Sequence, residues 1–402
     1  MKILVLAENA HSTGGAEAVA LNSARGLAER GHQVTLLAGA GPADNWDGNL
    51  RIVSVVEGED PPLTKKEELL SLWNIKARKL VAEHLAAGYD VVHLHSGIRR
   101  LGPAAYRLVA NADIPVIYTH HDYAWACPMQ GLFDYRELKA CELAPGSVGC
   151  LTRNCVGPGD MDYKLYRYAK HWGTHRMSGL GRASVSHIFV SAKSRDRLMG
   201  AVQGSSRCWV VPNPIDTKKG PPTDIQPQSG YAYVGRLTTE KNPVSVAKIC
   251  ELQGWEAVFI GDGPLRDAVR NLNPRAAMLG WLARPGVEAA LRNCRAVVMP
   301  SLCYETHGMV GLEAWALGLP IVVSSNYGIT NEVIDKSNGL VFTAGDEKDL
   351  RSKMLQLQDL EMARRMGRFA YDHFWSRPPT LARHLDQLED VYLGAIGMRA
   401  AA

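Results

Sequence analysis

The sequence predicts an α/β protein made of two doubly wound, Rossmann-like units. Three observations carry that reading. The chain has 402 residues, long for one hydrophobic core and natural for two. Short apolar runs recur through both halves, alternating with stretches of helical periodicity and ending in glycine-bearing turns, the pattern of parallel βα units. Between the halves, Thr217 to Gly230 carries Pro221, Pro222 and Pro227 with no apolar periodicity, which marks a linker.

The elements follow in order. Lys2 to Ala7 is a buried first strand. Gly14-Gly15-Ala16-Glu17 turns it into a helix to about Arg30, and Gln33 to Ala38 is the next strand. That turn is not G-x-G-x-x-G and no acid ends the second strand, which argues against a dinucleotide oxidoreductase. Leu50 to Val56 is a strand. Thr64 to Ala87 reads as one helix, with Thr64 as N-cap, Glu67 at the capping-box position, and a solvated face of Lys65, Lys66, Lys76, Arg78 and Lys79. Asp90 to His95 and Pro115 to Thr119 are strands, the second delivering His120-His121-Asp122 to a loop. Ser186 to Val190 and Cys208 to Val211 complete the first set. The second set is Tyr231 to Val234, Ala257 to Ile260, Ala277 to Leu279, Ala296 to Met299 and Pro320 to Val323. Asp349 to Phe374 is mainly helical, Pro378-Pro379 breaks it, and Leu381 to Ile396 is a last helix.

Composition narrows the class. Apolar residues at 46% and charged residues at 21% are those of a soluble globular protein. No run approaches the ~18 apolar residues that span a bilayer. MKILVLA lacks signal-peptide architecture and reads as strand, so a cytoplasmic protein is expected. A net charge of +4 does not point to nucleic acid. Eight cysteines without an export signal suggest thiols or metal ligands in a reducing compartment. Cys127, Cys141, Cys150 and Cys155 fall together in a glycine- and proline-rich insertion near 124–160. They suit a structural zinc site, with free thiols, a disulfide or an iron–sulfur centre as the alternatives. Tyr163 to Ser184 holds Lys164, Lys170, Arg167, Arg176 and Arg182 among four aromatics and no acid. It fits either a helix on an anionic membrane surface or a core helix with snorkelling basic ends.

The densest chemistry lies in PSLCYETHGMVGLEAWALGLP, from Pro300 to Pro320. Glu305 stands at the mouth of a strand. Gly308 lets a ligand approach the backbone, and the following helix start offers N–H groups to an anion. Glu313 lies on that helix. Such a site suits a ligand with hydroxyls at one end and phosphate at the other. The string P-S-x-x-x-E-x-x-G-x-x-x-x-E-A-x-A-x-G-x-P resembles the signature of the family-four retaining glycosyltransferases of GT-B fold. T-H-H-D, Gly235-Arg236-Leu237 with Lys241, Gly261-Asp262-Gly263-Pro264, Gly280-Trp281-Leu282 and Asn331-Glu332 fit the same family. His307 replaces the aromatic residue usual before the glycine.

The resemblance implies two Rossmann-like domains facing an interdomain cleft. An acceptor domain spans 1–216, a linker 217–230 and a nucleotide-sugar domain 231–374, and a helix in 375–402 crosses back to the first domain. It implies transfer from a nucleotide-diphosphate sugar, UDP favoured, to a glycan, a lipid-linked or a natural-product acceptor, with no metal ion required for catalysis. Glu305, His121, Arg236 and Lys241 would be the catalytic group, with Asp122 fixing the His121 tautomer. Gly14, Gly15, Gly235, Arg236, Lys241, Gly263, Trp281, Leu282, Gly308, Met309, Val310 and Glu313 would bind the sugar donor, Glu313 at the ribose. A phosphorylase, a hydrolysing epimerase or a non-catalytic sugar-nucleotide sensor would share these clamps. Contact with the inner membrane face is a further expectation.

Overall fold

A computed structural model of the chain describes residues 1–11, 15–58, 63–95, 99–156, 160–181, 185–202 and 207–399. Gly14 and Arg182 lie outside the described residues. The first sheet comprises β1 (Lys2–Asn9), β2 (Gln33–Gly41), β3 (Asn45–Asp47), β4 (Leu50–Glu57), β5 (Val91–His95) and β6 (Val116–His120). After a small ribbon of β7 (Phe133–Asp134) and β8 (Lys139–Ala140), β9 (Val185–Phe189) and β10 (Cys208–Val210) complete it. Its order is β10-β9-β6-β5-β1-β2-β4-β3. All neighbours are parallel except β3 and β4, and Ile3 pairs with Val34 on one side and Val91 on the other. The second sheet joins β11 (Gly230–Val234), β12 (Ala257–Ile260), β13 (Ala277–Gly280), β14 (Cys294–Met299), β15 (Ile321–Ser324) and β16 (Gly339–Phe342) in the order β13-β12-β11-β14-β15-β16, all parallel.

Strands covered on both faces must be apolar on both, so these segments read as continuous runs rather than alternations. In β1, Leu4 and Leu6 enter one core cluster while Ile3, Val5 and Ala7 enter the other, the period of two at work. The second unit has its own core. In each sheet the winding reverses once, between β1 and β5 in the first and between β11 and β14 in the second. Chain segments leaving neighbouring strands there diverge to opposite faces and open a crevice at the carboxyl ends, where doubly wound sheets bind ligands.

The last helix, Leu381–Arg399, packs on the first sheet. Leu385, Leu388, Val391 and Tyr392 join its core, and Leu385 sits so close to Gly26 that a Cβ there would lie 2.6 Å from its Cδ1. Arg30 and His32 both reach Glu389 at 2.8 Å, and Tyr392 meets His93 Nδ1 at 2.7 Å.

The segment Thr64 to Ala87 differs from the sequence reading, and at Met161–Ser178 the structure bears on a choice that reading left open. The single helix expected over Thr64 to Ala87 is broken into Lys65–Leu70, a 3-10 turn at Ser71–Trp73 and Ile75–Ala86. Thr64 and Glu67 do form the capping box. The break comes from Asn74, whose side chain caps the Ala77 amide at 3.0 Å and donates to the Arg100 carbonyl at 2.6 Å, so it starts a second helix. The basic aromatic helix, Met161–Ser178, turns much of its charge inward: Lys164 is buried, Arg167 donates to the Pro128 carbonyl at 3.1 Å and Lys170 pairs with Glu68 at 2.8 Å. Trp172, 61% exposed, and Arg176 over its ring stay outside. Among the described residues no helix is long and apolar enough to cross a membrane.

Candidate functional site

The reversal point of the second sheet carries a cavity of about 320 Å³, closed on the far side by Gly15, Ala16, His121 and Asn213 of the first unit. Two loops build its floor. The loop after β11 holds Gly235 and Arg236 and then a 3-10 turn, Thr239–Lys241. The loop after β14 holds Ser301, Glu305, Thr306 and His307, and it ends at Gly308, the N-cap of the helix Met309–Ala316. Gly308 has φ 119°, and a Cβ there would stand 3.0 Å from both Ile329 and Tyr327, so only glycine fits. Met309 and Val310 line the cavity, and the amides of a first helical turn have no intrahelical acceptor.

Lys241 and Glu305 form an ion pair at the centre of this floor, their side chains 21% and 19% exposed. Ser301 Oγ donates to the same Glu305 oxygen at 2.8 Å and lies 2.9 Å from the Tyr327 hydroxyl. Burial works against the Lys241 ammonium, but the Glu305 carboxylate outweighs it and holds the lysine above its ordinary range. Arg236 is different. Its guanidinium is 72% exposed at the cavity mouth and reaches Glu240 only at 3.6 Å, while Glu240 also accepts from Thr238 at 2.7 Å.

His121 follows β6 into the cavity from the opposite wall. Its Nε2 hydrogen-bonds His95 Nδ1 at 2.9 Å, with the rings stacked at 5.2 Å. Burial, with His384 nearby, pushes His121 down to about 3, which favours a neutral imidazole. The expectation that Asp122 fixes its tautomer is not met: Asp122 Oδ1 accepts the Ala124 amide at 2.8 Å and closes its own turn. The tautomer partner is His95. His307, which lines the floor, is buried against Glu332 at 3.1 Å.

Gly15, His121, Gly235, Arg236, Lys241, Glu305, Gly308, Met309 and Val310 thus meet in one cavity. Gly263, Trp281, Leu282 and Glu313 do not line it. Gly263 follows β12, Trp281 and Leu282 follow β13, and Glu313 lies on the helix Met309–Ala316. Gly263 presses on the Leu237 carbonyl, 2.6 Å from where a Cβ would be. Trp281 is 79% exposed and Leu282 packs on the core. Glu313 meets Arg284, at the start of the helix after β13, at 3.3 Å. Burial raises its carboxyl against the pull of that arginine. Arg284, Ser301, Tyr327 and Asn213 escaped the sequence assignment. Only Ser301 and Asn213 sit inside motifs that could have flagged them.

A second cavity, about 410 Å³, opens in the first unit and shares Ala16 with the first. Glu8, Glu17, Arg99, Asp122, Arg167 and Lys170 are among its walls. The two units touch beside the first cavity: Thr306 Oγ1 donates to the His121 carbonyl at 2.9 Å, Ser191 Oγ to the Thr306 carbonyl at 2.5 Å, and Arg197 lies 4.0 Å over the Tyr304 ring. The four cysteines of the insertion surround one small space beside Lys164.

Residues 13–219 match the family described as Glycosyltransferase Family 4, and residues 229–359 match Glycosyl transferases group 1. The chain is 26% identical over 368 residues to a D-inositol 3-phosphate glycosyltransferase of Xylanimonas cellulosilytica, covering 83% of this chain and 80% of that one. It is 32% identical over 209 residues to a glycogen synthase of Mycobacterium tuberculosis, covering 48% and 50%. Sucrose-phosphate synthase of Thermosynechococcus elongatus has a similar fold, with TM-score 0.73 and 17% identity over 100% of both chains. So does Anabaena HepE in complex with UDP-glucose, with TM-score 0.64 and 17% identity over 98% of this chain and 100% of that one.

Proposed function

The chain belongs to glycosyltransferase family 4 and has the GT-B fold, and from that premise we propose that it is a retaining enzyme moving a sugar from a UDP-sugar to a hydroxylated acceptor. The observation that carries this reading is the Lys241–Glu305 pair at the reversal point of the second sheet, with Arg236 exposed at the mouth beside it. Cations and helix-start amides suit a diphosphate, and a carboxylate at the other end suits sugar hydroxyls. UDP is carried over from HepE, whose complexes hold UDP and UDP-glucose.

In this reading Glu305 orients the sugar, and Arg236, Lys241 and the amides of Met309 and Val310 take the charge that grows on the leaving phosphate. No metal ion is needed for that charge balance. Gly15 and Gly235 let backbone close on the donor. The neutral His121 hydrogen-bonds a sugar hydroxyl or the leaving group, held by His95. Glu313 takes the ribose hydroxyls, and Gly263, Trp281 and Leu282 flank the base. Acceptor and donor sugar react on one face, and the departing phosphate accepts the acceptor's proton. The acceptor enters through the second cavity, whose mixed Arg99, Arg167, Lys170, Glu17 and Asp122 walls suit a polyol, glycan or lipid-linked sugar. The protein works in the cytoplasm, and Trp172 with Arg176 would face a lipid-borne acceptor.

A thermal-shift panel of nucleotides and nucleotide sugars tests the donor. Ligand at ~100 Kd adds ~2.7 kcal/mol to the folded state, so UDP and its sugars are expected to raise Tm by several degrees and uridine very little. A panel in which UDP-sugars, GDP-sugars and ADP-sugars all leave Tm unchanged would end the donor assignment. For Glu313, the Ala substitution is expected to raise the donor KM by ~10-fold with kcat nearly kept, because a ribose contact acts alike in ground and transition states. A collapsed kcat at constant KM would place Glu313 at the reaction centre instead.

A further inference from the structure

We propose that Cys127, Cys141, Cys150 and Cys155 form a binding site for one zinc ion, with the Lys164 ammonium as its built-in counter-charge. The cysteines come from separate parts of the insertion. Cys127 lies in the turn after β6, Cys141 just past β8, Cys150 in the short helix Val148–Thr152, and Cys155 beyond it. All four line one cavity of about 20 Å³, room for a single water-sized body. Cys127, Cys150 and Cys155 are buried.

One cation stands among the sulfurs. Lys164 Nζ stands 3.1 Å from Cys155 Sγ and 3.9 Å from Cys150 Sγ. Two of the four sulfurs therefore face this one ammonium.

Charge points the same way. Lys164 is 2% exposed, and among the described residues its partners are sulfurs rather than carboxylates. A buried ammonium needs a counter-charge. Arg153, also on the wall, is already committed to Asp134 and Glu137. Four cysteine sulfurs on a divalent ion would leave a net of about −2 beside this lysine. Among the described residues no three metal-ligating side chains are already set for chelation. Zinc binding would therefore require the sulfurs to close in around the ion.

The test uses the whole chain, expressed with zinc and purified without chelator. About one zinc per chain is expected, released when an organomercurial caps the thiols. Cys150→Ser is expected to lose the metal while the UDP thermal shift persists. Lys164→Met, which keeps all four sulfurs, is expected to retain stoichiometric zinc but lose it to a chromophoric chelator at ~10–100-fold lower chelator concentration. If Cys150→Ser aggregates, wild-type metal content and the Lys164→Met competition decide. Zinc far below stoichiometry with freely reactive thiols overturns the proposal. So does a reductant-reversible loss of two hydrogens in mass, or iron with a visible absorption band.

Discussion

Glu305→Gln is expected to lower sugar transfer by ~100-fold while leaving UDP binding equal or tighter. The amide keeps the shape of the side chain and can still accept from Ser301, whose Oγ lies 2.8 Å away. What disappears is the negative charge that meets the Lys241 ammonium in the ligand-free protein. Two consequences follow. The sugar loses the anion that holds its hydroxyls in register, so the reacting centre is misplaced. The lysine, no longer shared with a carboxylate, is freed to give its charge to the diphosphate. Turnover should therefore fall without a rise in donor KM. The ligand-free variant should melt lower than wild type, because a partly buried ammonium has lost its partner, and UDP should raise its Tm by more than it does in wild type. If the pair were only a clamp between two loops, the variant would lose stability and keep transfer within a few-fold of wild type. That outcome, or a UDP affinity that falls in step with turnover, would remove Glu305 from the reaction centre.

The legible parts of this protein are those whose physics is local. The strands were readable because two-sided burial makes each a short continuous apolar run, as in Ala296 to Met299, inside β14. The floor of the site was readable because Glu305, Gly308 and the helix start lie within one loop, and Arg236 and Lys241 within another. Partners that arrive from distant segments were not. Tyr327 reaches Ser301 from the far end of β15, and His95 reaches His121 from a neighbouring strand. Neither carries a sequence signal. Asp122 shows the opposite error. Adjacency to His121 in sequence suggested a partner, but a residue just past a strand end turns away from its neighbour, and its carboxylate found the Ala124 amide. The helix break at Asn74 was missed for a related reason. The apolar period runs through it, and only the Arg100 carbonyl, 26 residues on, fixes the asparagine as a cap.

Arg236→Ala is expected to weaken UDP by at least ~10-fold and uridine hardly at all, since a charged hydrogen bond is worth roughly 1.5–3 kcal/mol, or about one to two decades. The geometry separates this from a structural effect. The guanidinium is 72% exposed and its contact with Glu240 is 3.6 Å long, so that pair adds at most ~1 kcal/mol to the fold. Glu240 keeps its Thr238 hydroxyl at 2.7 Å after the change, so no carboxylate is stranded and the ligand-free Tm should barely move. Lys241, by contrast, is already engaged by Glu305, which leaves Arg236 as the cation at the mouth with the least to give up on meeting a phosphate. Its planar fork can hold two oxygens at once. Charge on the leaving phosphate grows as the glycosidic bond breaks, so the arginine should matter more to the transition state than to the bound donor. The loss in kcat/KM should then exceed the loss in UDP affinity. Calorimetry with UDP and uridine on both proteins, beside steady-state rates, checks each step. Equal weakening of nucleotide and nucleoside would make Arg236 a shaper of the loop rather than a phosphate ligand. Weakening of neither would move the diphosphate elsewhere in the cleft, away from the Lys241–Glu305 pair.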